Sequence, residues 1–122
     1  FGHAIEAGMG YGSWLHGEAV AAGTAMAADL SHRMGWLSKL DCTRIEDLLT
    51  KAGLPVRAPK DLNPQRFRDL MAVDKKVSHG QLKLVLLQAI GKAVVSAQYS
   101  EEQLMATLNE HPNSALSTQP PA

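Results

Sequence analysis

The sequence holds one cysteine, two residues each of Trp, Tyr and Phe, no excess of charge of either sign, and no long apolar run. Each shortage excludes something. Cys42 has no cysteine partner, which rules out an internal disulfide and a cysteine-based zinc knuckle. Its plain reading is a small, partly buried residue near a helix start, and a reducing, cytoplasmic setting fits a chain without disulfides. Twelve Lys+Arg balance twelve Asp+Glu, which removes the broad attraction that nucleic-acid binding relies on. A few local lysines can still hold a small anionic ligand. The longest weakly polar stretch, residues 19–30, falls short of the roughly 20 residues that a membrane span needs. Neither a nucleic acid nor a membrane is therefore expected as a partner. No Gly-x-Gly-x-x-Gly fingerprint occurs. The chain opens on Phe1 without an initiator Met or a basic-then-apolar leader, and reads as the continuation of an upstream segment.

What remains is 122 residues with 45% hydrophobic and 20% charged content, enough for one core. Residues 1–110 carry the structural signals. Residues 111–122, dominated by Pro, Ser, Asn and Gln, are expected to form a disordered tail. The fold class expected is mainly α with one small β-hairpin.

Residues 3–9 read as the end of a helix begun upstream, closed by Gly8, Gly10 and Gly12. Ser13 is the expected cap of a second helix over residues 14–34, stopped at Gly35. Its interior is crowded with Ala19, Ala21, Ala22, Gly23, Ala25, Ala27 and Ala28. Because Gly in a helix costs about 1 kcal/mol relative to Ala, Gly23 predicts close backbone approach by a neighbour. Asp41 is the expected N-cap of a third helix over residues 43–52, with Ile45, Leu48, Leu49 and Ala52 as its apolar stripe. Gly53-Leu54-Pro55 ends it. Pro64 opens a fourth helix that turns Phe67, Leu70 and Met71 inward. Residues 83–90 and 93–99 predict a hairpin around Gly91-Lys92. Ser100-Glu101-Glu102-Gln103 matches a capping box and starts a last helix.

Chemistry concentrates near the start. In Gly2-His3-Ala4-Ile5-Glu6, Glu6 lies one helical turn from His3. In Leu15-His16-Gly17-Glu18, His16 opens a helix, and imidazole is a common zinc ligand, often oriented by a carboxylate. Glu6 can orient His3 and Glu18 can orient His16, or each can cap or pair elsewhere. Trp14, Trp36 and Tyr11 read as packing residues. His32, His79 and His111 read as surface histidines.

Five segments in register resemble the 3-dehydroquinate synthase family. They are Phe1-Gly-His-Ala-Ile-Glu6 with Met9-Gly-Tyr-Gly12, Leu15-His-Gly-Glu-Ala-Val-Ala-Ala-Gly23, Ala52-Gly-Leu-Pro55, Asp74-Lys75-Lys76, and Leu82 to Lys92. The resemblance implies the helical C-terminal domain of an enzyme that uses NAD and a divalent metal, zinc or cobalt. That enzyme converts 3-deoxy-arabino-heptulosonate 7-phosphate to 3-dehydroquinate and phosphate, a step of the shikimate pathway. By matched position, His16 is implied as a metal ligand, His3 as an active-site residue that moves protons, and Lys76 or Lys75 as a contact to the anionic substrate. The resemblance also implies that the NAD-binding domain and two further metal ligands lie outside this chain. The chain alone is accordingly expected to be inactive, and the full-length enzyme to be a homodimer. Two alternatives are another sugar-phosphate cyclase or metal-dependent polyol dehydrogenase of the same fold group, and a catalytically silent helical association domain.

Overall fold

In a computed structural model, residues 1–10, 14–77 and 82–110 are described, with residues 73–77 described by their backbone only. The expected caps at Ser13 and Gly12, Tyr11, His79, His111 and the expected tail all lie outside the described residues. Among those that are described, five helices and one hairpin follow in the order α1 (Gly2–Gly8), α2 (His16–Arg33), α3 (Lys39–Lys51), α4 (Pro64–Val77), β1 (Leu84–Ala89), β2 (Lys92–Ser96) and α5 (Glu101–Glu110). The mainly helical fold with a single hairpin is as the sequence predicts.

The small residues of α2 decide the architecture. Every residue from Ala25 to Ser31 is buried, and the helix packs against α1, α3, β1 and α5. A helix this short of side-chain bulk lets its neighbours approach closely on several sides. The predicted close approach is at Gly23. A Cβ added there would lie 2.8 Å from the backbone nitrogen of Gly2, so the first turn of α1 rests directly on α2. Around this crossing, Ile5, Ala22, Met26, Leu30, Phe67, Met71, Leu84, Leu86, Leu104 and Leu108 form the main core.

The caps differ in places from those predicted. Helix α2 starts at His16, not at Trp14, because the Glu18 carboxylate accepts the backbone N–H of Leu15 at 2.9 Å. Ser38, not Asp41, caps α3: its hydroxyl accepts the Asp41 N–H at 3.0 Å. Asp41 sits in the first turn instead, where a carboxylate complements the helix dipole. Starting at Lys39 changes which residues face inward. Cys42 packs with Ala28 and Leu37, and Ile45 adjoins them, whereas Leu48 is 70% exposed and Ala52 is exposed. The Asn63 side chain accepts the Arg66 N–H at 2.8 Å, and Pro64 is the first residue of α4 as predicted. The reciprocal Ser100–Gln103 capping box also forms as predicted, with bonds of 2.9 and 3.0 Å.

The hairpin is antiparallel, with Leu84 opposite Ser96, Val85 opposite Val95 and Leu87 opposite Ala93. Ala89 pairs with Lys92, so the loop is Ile90-Gly91, one residue earlier than the predicted Gly91-Lys92. Gly91 still carries the positive φ, +86°, but at the second loop position. Gln88 is the extra residue where the register shifts. Ser31 fastens this hairpin to α2, donating to the Ala27 carbonyl at 2.7 Å and accepting the Leu87 N–H at 2.9 Å.

Candidate functional site

The crossing of α1 on α2 brings together residues that are distant in sequence. His16, the first residue of α2, has a side chain 75% exposed, and its Nδ1 lies 3.1 Å from Oε2 of Glu6 on α1. Glu6 itself is 16% exposed. An imidazole meets a carboxylate by donating, so Nδ1 carries a proton and Nε2 is the ring nitrogen not engaged by Glu6. This is the arrangement in which a carboxylate fixes the tautomer of a metal-ligating histidine. His3, one turn before Glu6 and on the same side of α1, is exposed.

The sequence leaves open whether Glu6 and Glu18 orient His3 and His16 or cap or pair elsewhere. The structure pairs Glu6 with His16 across ten residues and uses Glu18 as the cap of α2. No signal within one element reveals the Glu6–His16 pair, because it depends on how two helices cross. Lys75 and Lys76 fall in α4 by their backbone, and their side chains lie outside the description.

Among the described residues, no three His, Cys, Asp or Glu side chains gather into a group able to hold a metal ion. The donor set thus fits a metal as one oriented imidazole of a larger site, and not as a complete site. An open groove of about 480 Å³ is lined by Phe1, by Gly2 and His3 of α1, by Val20, Thr24 and Ala27 of α2, and by Lys83 and Leu87 at the hairpin; neither His16 nor Glu6 lines it. Lys83 was not singled out by sequence. The only signal for it was its place at the foot of an alternating strand, on the face opposite the buried Leu84 and Leu86.

The remaining candidates are structural. Trp14 and Trp36 pack against the core as predicted. His32 is half-buried, not a surface residue, and its Nδ1 donates to the Leu37 carbonyl at 2.8 Å. The Cys42 thiol donates to the Ala28 carbonyl at 3.1 Å. Burial pushes its pKa up to about 11, with nearby Asp29 adding to the effect, so it is a poor nucleophile.

No helix among the described residues is long and apolar enough to cross a membrane. Residues 1–77 match the family described as 3-dehydroquinate synthase C-terminal. The 3-dehydroquinate synthase of Nitrosococcus oceani is 57% identical over 110 residues, covering 90% of this chain and 31% of the relative. That of Pseudomonas putida is 56% identical over 109 residues, covering 89% and 30%. The chain therefore spans about three tenths of the length of these relatives. Among solved structures, 2-epi-5-epi-valiolone synthase from Streptomyces hygroscopicus, with NAD+ and Zn2+ bound, superposes with a TM-score of 0.75 at 29% identity, covering 88% of this chain and 31% of that one. A 2-deoxy-scyllo-inosose synthase complexed with carbaglucose-6-phosphate, NAD+ and Co2+ gives 0.71 at 26%, covering 90% and 32%. By the family match over residues 1–77 and by identity across nine tenths of its length, this chain belongs to the 3-dehydroquinate synthase family, in the C-terminal part of that enzyme.

Proposed function

We propose that this chain supplies the metal- and substrate-holding part of a 3-dehydroquinate synthase, which converts a seven-carbon sugar-acid phosphate to 3-dehydroquinate and phosphate. One observation carries the reading: a histidine at a helix start, its side chain 75% exposed and its Nδ1 engaged by a carboxylate. The NAD+ with Zn2+ or Co2+ in the solved relatives supports NAD and a divalent metal as the cofactors here. When bound, NAD takes and returns a hydride, and the metal polarises the substrate oxygens.

This chain's residues then have distinct tasks. Nε2 of His16 is one metal ligand, and Glu6 holds the ring in the required tautomer. Glu18 fixes the backbone just before His16, so the imidazole starts from a defined position. His3 gives and takes a proton at a substrate oxygen, a task an exposed imidazole suits because it can both donate and accept. Lys75 and Lys76 attract the anionic substrate. The NAD-binding region and the other metal ligands belong to the part of the relatives that this chain does not span. The chain by itself is inactive on this reading, because a single ligand holds zinc weakly. The working enzyme is a cytoplasmic homodimer. Identity of 57% to a dehydroquinate synthase, against 29% and 26% to cyclases that make other rings, weighs against the alternative substrates.

The test joins this chain to the upstream region that its relatives carry. Phosphate release from the seven-carbon substrate is measured with NAD and zinc, alongside zinc content. His16→Ala is expected to abolish both phosphate release and stoichiometric zinc. Full activity in that variant would remove His16 from the metal site, and an inactive parent would overturn the whole reading.

A further inference from the structure

We propose that Tyr99, Glu101 and Arg68 are positioning residues for substrate binding: the opening of α5 fixes α4, the helix that carries Lys75 and Lys76. The inference rests on the function proposed above, which sets those lysines against the anionic substrate, and adds the residues that hold their helix in place.

The opening of α5 bonds to three other parts of the fold. The Tyr99 hydroxyl donates to the Leu82 carbonyl, just ahead of β1, at 2.6 Å. Glu101 accepts from Arg68 of α4 at two points, Nε to Oε2 at 2.7 Å and Nη2 to Oε1 at 3.0 Å. A guanidinium held by both oxygens of a carboxylate has a defined orientation as well as a defined distance. The Gln103 side chain donates to the Arg33 carbonyl, at the end of α2, at 3.1 Å. The reciprocal Ser100–Gln103 bonds keep this stretch in one conformation.

These bonds bracket the lysines. Arg68 precedes Lys75 and Lys76 within one continuous helix, and Leu82 follows them in the chain. The rise from Arg68 to Lys75 is about 10 Å along that helix, so holding Arg68 fixes the depth and rotation of the last turn. Both arms are tied to the same short stretch, which is also bonded to α2, the helix that starts at His16. The lysine-bearing helix and the metal-binding helix therefore share one reference point. Apolar packing of Phe67 and Met71 buries α4, but burial is non-directional and does not set its register. The Arg68 side chain is 17% exposed and that of Glu101 is 59%. A pair this open adds little to stability, so its geometric role can be tested apart from folding.

The experiment uses the joined enzyme and a variant combining Tyr99→Phe with Glu101→Gln. The variant is expected to raise the KM for the phosphorylated substrate about 3- to 10-fold, the span of one hydrogen bond and one partly exposed ion pair. Its kcat and zinc content should stay at wild-type values. Glu101→Arg alone should raise KM likewise, and adding Arg68→Glu should restore it. A double-mutant cycle separates positioning from a merely structural role. In a background of Lys75→Met with Lys76→Met, losing the tethers should change KM by less than about twofold, because the groups they position are gone. A further rise in that background, or an unchanged KM with both lysines present, would overturn the proposal while leaving the assigned reaction intact. Amide hydrogen exchange reads the same tethers without turnover. Exchange in the last turn of α4 should quicken about 3- to 10-fold in the combined variant while that of α2 holds its rate. Unchanged exchange in α4, or equal acceleration in both helices, would overturn the proposal even in a protein that fails the activity test.

Discussion

The two ends of α2 use the same chemistry for opposite purposes. At its start, Glu18 and Glu6 serve a cap and an imidazole that is 75% exposed. Near its end, Asp29 is buried and accepts from Arg33 Nε at 2.8 Å and from Thr107 of α5 at 2.8 Å. Arg33 also reaches Glu110 at 2.6 Å, and the Gln103 side chain donates to the Arg33 carbonyl at 3.1 Å. Both ends hold a carboxylate, a nitrogen donor and a helix terminus. At the buried end all of these groups are consumed by one another, and the result is that α5 is fixed to α2. At the exposed end the carboxylate engages only Nδ1 of His16, and among the described residues Nε2 has no hydrogen-bond partner. Carboxylates near a helix end thus signal function only when their network leaves an atom over.

The sharpest way to break the contrast is Asp29→Ala. It removes the buried carboxylate that accepts from both Thr107 and Arg33, and should cost about 2–4 kcal/mol of stability. Urea unfolding would show this, while the zinc affinity of the joined enzyme stays within twofold. Gly23→Ala tests the crossing that both ends depend on. The added Cβ must displace the backbone of Gly2, at a cost of about 1–3 kcal/mol that exceeds the gain in helix propensity. It should also loosen the Glu6–His16 contact, so zinc affinity and melting temperature are expected to fall together.

Glu6→Ala and Glu18→Ala separate the two carboxylates at the exposed end. Loss of Glu6 is expected to weaken zinc binding 10- to 100-fold, in the range known for partners of metal-bound histidines, with little change in melting temperature. Loss of Glu18 should cost about 0.5–1 kcal/mol of stability, as a lost cap does, with a smaller effect on zinc. Metal competition assays and thermal melts, run on both variants, would reveal whether these effects are exchanged. The smallest effect concerns Cys42. An unfolded thiol ionises near pH 8.5, whereas the folded one holds its proton up to about 11. Between those values the unfolded state binds fewer protons, so stability falls as pH rises. Cys42→Ala should flatten that alkaline slope.

Much of the fold was legible because its signals are local. Pro64 at a helix start, the Ser100–Gln103 box and the small-residue run of α2 each depend on residues a few positions apart. Gly23 was legible for a related reason: a glycine in a good helix needs a neighbour to explain it. The misreadings also have local causes. Ser38 and Asp41 are both good caps, and only the geometry at Lys39 selects the first. The stripe of α3 followed the wrong start, which turned Leu48 outward. Glu6–His16, His32–Leu37 and the groove position of Lys83 depend on how elements meet or turn. His3 and His16 were picked out by family resemblance alone, and the contact of His16 with Glu6 was not foreseen.

Ser31 fastens α2 to the hairpin. Its hydroxyl takes the Leu87 N–H, a donor on the side of β1 that faces away from β2. An open strand edge with free donors is a template for another chain, and proteins guard such edges. A single buried side chain here blocks that template from within. Ser31→Ala would leave the fold's apolar contacts in place yet release the edge, so its mark would be concentration-dependent aggregation and not simple unfolding.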